Sequence, residues 1–125
     1  MKKVIIKNDN RSLAAPLQAS FCETFWCHLR GLSFRRSIPN NRGLLLVYSR
    51  ESIIETAIHM FGVFFDLGII WINNSGVVVD KCLAKRFVTV KAPSEPARYV
   101  LEVVPARLNE FQIGDRISFE QELDS

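Results

Sequence analysis

The sequence predicts a mainly β (α+β) fold: a small barrel-like domain of seven or eight short strands with one or two short helices, residues 1–125 forming a single domain. Three observations carry this expectation. Runs rich in Val, Ile, Phe, Tyr and Trp recur along the chain, turn-forming residues separate them, and apolar residues at helical spacing are confined to short segments. The most apolar stretch, Thr56 to Asn73, is interrupted by His59, Gly62, Asp66 and Gly68, which divides it into two strands, about Ile54–Phe61 and Leu67–Ile72.

In chain order, Val4-Ile5-Ile6 forms a first strand and Asn8-Asp9-Asn10 turns it. Leu13 to Cys22 is a second strand, with Pro16 placing it at an edge or a bulge, and the two pair as a hairpin. From Glu23 the period changes. Phe25, Trp26, Leu29 and Leu32 recur at helical spacing, with Trp26 and Phe34 expected in the core, and Gly31 ends a short helix. Ser33 to Gly43, rich in Arg and Asn, is a loop. Leu44 to Tyr48 is a continuous apolar strand of the kind buried on both faces. Asn73-Asn74-Ser75-Gly76 is a hairpin turn, and the return strand runs from Val77 through Cys82 to Val90. Tyr99–Val104, a helical turn within Arg107–Ile113, and a last strand Arg116–Glu120 complete the chain. Closure of the sheet would protect edges as apolar as Leu44–Tyr48.

Composition narrows the function classes. A hydrophobic fraction of 48% with net charge +3 is that of a folded domain. The mild basicity argues against nucleic acid as the main partner. Cys22, Cys27 and Cys82 are odd in number and contain no C-x-x-C pair, which suits neither a disulfide framework nor a zinc site. The N-terminus lacks the apolar run of a secretion signal, so a cytoplasmic location is the default. The central run is too interrupted to span a bilayer, so no membrane partner is expected. No Walker or dinucleotide glycine pattern and no G-x-S-x-G elbow occurs, so no cofactor and no catalytic nucleophile is assigned.

Several segments occur in a recognisable order: Arg30-Gly31-Leu32, Arg35, Gly43-Leu44-Leu45-Leu46-Val47, Ile58-His59-Met60-Phe61, Tyr99-Val100-Leu101-Glu102 and Gly114-Asp115-Arg116. In this the chain resembles domain-of-unknown-function family 192, an uncharacterised prokaryotic family, over roughly Leu17 to Phe119. The resemblance implies a compact β-barrel-like fold with short helices and no established activity. This chain departs from the pattern at Ser33, where members usually carry Met, and at Asp66-Leu67-Gly68, where they carry Pro-hydrophobic-Asp.

The candidate ligand-binding residues are His59, Arg35, Glu102 and Asp66. Strand alternation puts Ala57, His59 and Phe61 on one face and Ile58, Met60 and Gly62 on the other. His59 has the chemistry for proton transfer or metal binding, against the plainer role of a hydrogen-bonded histidine at a rim. Glu102 lies inside an apolar strand. It either faces solvent or, if buried, pairs with an arginine of the Arg30–Arg36 group. The leading expectation is a non-enzymatic domain binding a small polar ligand, such as a sugar or small anion, or a partner at the barrel mouth. The alternative is a hydrolase-like enzyme using His59 as base with Asp66 or Glu102 as its acid. A third reading is weak nucleic-acid binding through Arg30, Arg35, Arg36, Arg42 and Arg50, set against a solvated basic loop.

Overall fold

The computed structural model describes residues 2–121. Nine strands and two short helices follow one another. They are β1 (Lys3–Asn8), β2 (Gln18–Cys22), helix α1 (Phe25–Arg30), β3 (Arg42–Ser52), β4 (Ile58–His59), β5 (Leu67–Ile72), β6 (Val78–Ala84), β7 (Val90–Lys91), β8 (Ala97–Val103), a 3-10 helix (Pro105–Glu110) and β9 (Ile117–Gln121). Seven strands form one sheet in the order β6-β5-β8-β3-β2-β1-β9, and β4 pairs with β7 in a separate two-stranded ribbon. The mainly β expectation holds.

The barrel closure expected from the sequence is not made: the sheet is open. Its two ends meet at a single bridge, Val77 to Arg116, supported by hydrogen bonds such as Val78 N–H to the Asp115 carbonyl at 2.9 Å. The Asn73–Gly76 turn brings β6 back so that Ile117 N–H can reach the Gly76 carbonyl at 2.7 Å. Among the described residues no ladder continues beyond that point.

All pairs in the main sheet are antiparallel except β2 with β3, which run parallel with Gln18 opposite Arg42. A parallel pair needs a crossover, and residues 23–41 supply it, carrying α1 and the arginine loop. The continuous apolar runs of β3 and β5 follow from burial on both faces. Leu44, Leu46, Ile69, Trp71 and Val100 belong to one core; Leu45, Val47, Ile70, Ile72 and Leu101 belong to the other. The second core is completed by β1, β9 and Phe111, and the first by Leu32, Ile58, Met60 and Val63 from the segments outside the main sheet.

Other expectations are corrected. Pro16 lies before β2 and not within it, because the strand begins at Gln18. The strand expected over Ile54–Phe61 shrinks to Ile58–His59, since Thr56 is spent anchoring a loop. The long return strand is divided into β6 and β7. Trp26 and Phe34 are 74% and 71% exposed. α1 buries no residue fully and is held by its ends, so its apolar spacing does not mark a core face.

Cys22 and Cys27 are joined as a disulfide. Cysteine count and spacing speak against such a bond, but neither registers the local geometry. Thr24 caps α1 by accepting the Cys27 N–H at 3.1 Å, and the turn this makes brings the two Cα atoms to 5.6 Å, within reach of a bridge.

Arg107, buried in the 3-10 helix, ties the far side together. Its guanidinium donates to the carbonyls of Ala15, Pro16 and Asn40 and pairs with Glu110 at 2.8 Å. This fastens both the β1–β2 loop and the end of the crossover. Asp115 has a similar role nearby, accepting Arg11 at 2.7 and 2.9 Å, Asn8 at 2.9 Å and the Gln112 N–H at 2.9 Å. Those donors, Arg11 foremost, hold its carboxyl well below the usual range.

Candidate functional site

Against the first core lies a narrow throat of about 40 Å³ that shares His28, Leu29, Tyr48, Ala57 and His59 with a wider vestibule of about 540 Å³. Glu102 lines the throat. It lies between Leu44 of β3 and Ile69 of β5, so strand pairing on both sides fixes its backbone. The residue is only 6% exposed, and among the described residues its carboxyl has no hydrogen bond or ion pair. Burial pushes that carboxyl up to about 7.

The crossover forms one wall. The Cys22–Cys27 bond and the Thr24 cap fix α1. His28 then donates from Nε2 to the Cys22 carbonyl at 3.0 Å and stacks on Tyr48 with ring centroids 4.1 Å apart. A carbonyl only accepts, so the ring hydrogen sits on Nε2 and Nδ1 is left as an acceptor. α1 ends at Gly31, whose φ of +49° suits glycine. A Cβ there would stand 3.9 Å from Glu102 Oε1, so the backbone of this turn covers the carboxyl closely.

The β4 segment forms the opposite wall, anchored from the core. Thr56 donates its hydroxyl to the Ser52 carbonyl at 2.6 Å, and its own carbonyl accepts Nε1 of buried Trp71 at 2.8 Å. Alternation along β4 is as expected: Ile58 and Met60 are buried, His59 and Phe61 exposed. The Phe61 N–H donates to His59 Nδ1 at 3.2 Å, which leaves the ring hydrogen on Nε2. The two walls are laced together where the Ser33 hydroxyl donates to the Phe61 carbonyl at 3.1 Å and the Phe34 N–H to the Gly62 carbonyl at 2.8 Å. Tyr48, from within β3, is pushed up to about 12 by burial, then by the charges of Glu102 and Glu55.

Of the four residues picked from the sequence, the structure brings two together. His59 and Glu102 line the same throat, but no hydrogen bond joins them and His59 Nδ1 is already engaged, so the base–acid pair of the hydrolase reading is not assembled. Arg35 is exposed, lines neither cavity, and among the described residues its guanidinium has no partner. Asp66 accepts the Arg86 N–H at 2.9 Å and pairs with Arg86 and Lys85, at 3.2 and 3.9 Å, away from the throat. The Arg86 N–H is the main cause that holds the Asp66 carboxyl below its usual range. The arginine partner expected for a buried Glu102 is absent among the described residues, because the Arg30–Arg36 side chains stay in solvent. His28 and Tyr48 were missed. Tyr48 had a signal: it is the polar-tipped residue closing the Leu44–Val47 run.

A family model described as Uncharacterized ACR, domain-of-unknown-function family 192, matches residues 4–119. The chain belongs to this family. A curated relative, a UPF0127 protein of Thermococcus kodakarensis, is 31% identical, the match spanning 92% of this chain and 73% of the relative. Another, from Thermococcus gammatolerans, is 30% identical over 93% of this chain and 75% of that protein. Among solved structures, a Sinorhizobium meliloti protein provisionally designated a transcription regulator superposes with TM-score 0.82 at 18% identity, covering 94% of this chain and 92% of that one. A Novosphingobium aromaticivorans protein of unknown function superposes at 0.76 with 19% identity, covering 93% and 83%. At such identity these two neighbours establish the fold alone. The family segments Arg30-Gly31-Leu32 and Ile58-His59-Met60, together with Glu102, converge on the throat. At Gly68, beside the throat residue Leu67, an added Cβ would meet Leu108 and Val103 at 3.2 Å, so a larger side chain there would need repacking.

Proposed function

We propose that this domain of an uncharacterised family binds a small polar ligand in the throat and vestibule between α1 and β4, with Glu102 and His59 as its polar contacts and His28 and Tyr48 beside them. One observation carries this reading: among the described residues Glu102 is buried without a partner, at the end of a passage to solvent. Structural carboxylates are paired when buried, as Asp115 is here, because an unpaired one destabilises the fold. A ligand would supply the missing partner. The vestibule adds Phe25 and Leu29 as apolar contacts, a mixture typical of small-molecule sites.

A thermal-shift screen of neutral sugars, small amines and small anions on the whole chain tests the reading, followed by the ¹³C signal of the Glu102 carboxyl. A compound that raises Tm and moves both the Glu102 and His59 signals is the expected result. A screen in which every stabilising compound leaves those two signals in place overturns the assignment of the site.

No helix among the described residues is long and apolar enough to cross a membrane. A cytoplasmic location is kept as the working address on one condition. Disulfides are rare in reducing cytosol outside hyperthermophiles, so Cys22–Cys27 has to persist there or the chain resides elsewhere. Thiol labelling of freshly lysed cells reads which state is present: two labelled thiols beyond Cys82 in each chain would show the bond open.

A further inference from the structure

We propose that the ligand is held by a primary alkylammonium group, its cation in the throat against Glu102 and its carbon chain in the vestibule along Phe25 and Leu29. This rests on the throat being a binding site and names the chemistry that fills it. Charge comes first. The two cavities are lined by three carboxyls, Glu23, Glu55 and Glu102, against one guanidinium, Arg30. Arg50 neutralises Glu55 at 3.1 Å, but among the described residues nothing neutralises Glu102. A small anion would enter against this field, and a neutral sugar would leave the buried carboxylate without a counter-charge.

Size and hydrogen-bonding capacity sharpen the choice. A throat of about 40 Å³ admits a group the size of water, whose share of liquid volume is about 30 Å³. So narrow a throat favours a compact ammonium terminus over the bulkier trimethylammonium. The ammonium carries three donors. The lining offers three acceptors: the Glu102 carboxylate, the Tyr48 hydroxyl oxygen, and Nδ1 of His28, left free because Nε2 is spent on Cys22. His59, with its hydrogen on Nε2, is a donor and takes no part in holding the cation; it suits an acceptor elsewhere on the ligand. Phe25 and Leu29, 71% and 54% exposed, give the alkyl chain an apolar bed.

Calorimetric titration of the whole chain at pH 8 with n-butylamine, 1,4-diaminobutane, tetramethylammonium, 1-butanol and methyl glucoside tests the proposal, with amide shifts locating each bound compound. The two primary amines are expected to bind at the throat, at least tenfold tighter than 1-butanol or tetramethylammonium. Glu102→Gln is expected to weaken butylamine at least tenfold while its urea melt confirms a folded chain, and Tyr48→Phe to weaken it severalfold. Tetramethylammonium or 1-butanol binding as tightly as butylamine overturns the ammonium assignment, as does an unchanged butylamine affinity in Glu102→Gln. Methyl glucoside binding at the throat while the amines do not overturns the ammonium chemistry alone. Amines that bind elsewhere, or no compound shifting throat signals, overturn both the ammonium and the site.

Discussion

Replacing Glu102 by glutamine removes a charge from the core while keeping the side chain's size and polarity, and its effect on stability should depend on pH in a defined way. In the unfolded chain this carboxyl titrates near its ordinary 4.5; in the fold burial moves it up to about 7. Below pH 4.5 it is neutral in both states and has no linkage effect. As pH rises from 4.5 to 7 the unfolded chain loses the proton first, so native stability falls; above 7 both states are ionised and the loss is complete. At about 1.4 kcal/mol per decade of displacement, the wild-type chain loses on the order of 3 kcal/mol across this window. The glutamine variant has no such loss. The carboxylates of Asp66, Asp80, Glu110 and Asp115, all held low, change stability in the opposite sense at more acidic pH, and they are common to both chains. They cancel in the difference. Urea unfolding of both proteins between pH 4.5 and 8.5 measures it: Glu102→Gln should gain about 3 kcal/mol on wild type from the bottom of the range to the top. A difference that stays flat to within ~0.5 kcal/mol would show that Glu102 is solvated or paired in solution, and would remove the basis for a ligand site at the throat.

Other perturbations test the scaffold. Arg107→Ala strands the Ala15, Pro16 and Asn40 carbonyls and the Glu110 carboxylate, and should lower stability by about 3–5 kcal/mol, read as a fall in the urea midpoint. Gly43→Ala places a Cβ 2.8 Å from the Glu102 backbone carbonyl, prising β3 from β8; a loss of about 1–3 kcal/mol is expected, and an unchanged melt would contradict the strand spacing. Opening Cys22–Cys27 releases a short loop, worth about 2 kcal/mol by chain entropy. In the paired serine variant the loss should be accompanied by faster amide exchange at His28 and Leu29, while β3 and β8 stay protected.

The sheet was legible in the sequence where one physical signal dominated. Leu44–Val47 and Ile69–Ile72 are apolar without interruption because each is buried on both faces, and a strand with one face in water would have alternated. Asn73–Gly76 announced its turn through residue chemistry, Gly76 having φ of +84°. Around the cleft the signals conflicted. Phe25, Trp26 and Leu29 repeat like a core face yet are exposed, since a short helix held by a cap and a disulfide needs no buried stripe. Glu102 was visible as an acid in an apolar strand, but only the register of β3, β8 and β5 decides that it points inward. Asp66 stood out as an acid interrupting an apolar run and Arg35 as part of an arginine-rich loop, and folding separates both from the throat: Asp66 is drawn to the turn after β6 by Arg86. Closure was over-predicted for a related reason, because strand count cannot show whether the last ladder forms beyond Val77 and Arg116.

The parallel pairing of β2 with β3 has a consequence for how this architecture can change. The segment from residue 23 to 41 must exist to return the chain, yet it contributes no strand to the sheet. Its register obligations end at Cys22 and resume at Arg42, with Arg107 gripping Asn40 just before the return. It also carries His28, Gly31 and Ser33, a whole wall of the cleft. A graft of another loop and helix between the same two anchor points would leave every strand neighbour as it is, provided that it kept an apolar side chain in the place of Leu32 and a carbonyl for Arg107 in the place of Asn40. The carboxyl and Tyr48 stand on the permanent sheet and His59 on the segment that follows it, while the wall from His28 to Ser33 stands on the exchangeable one.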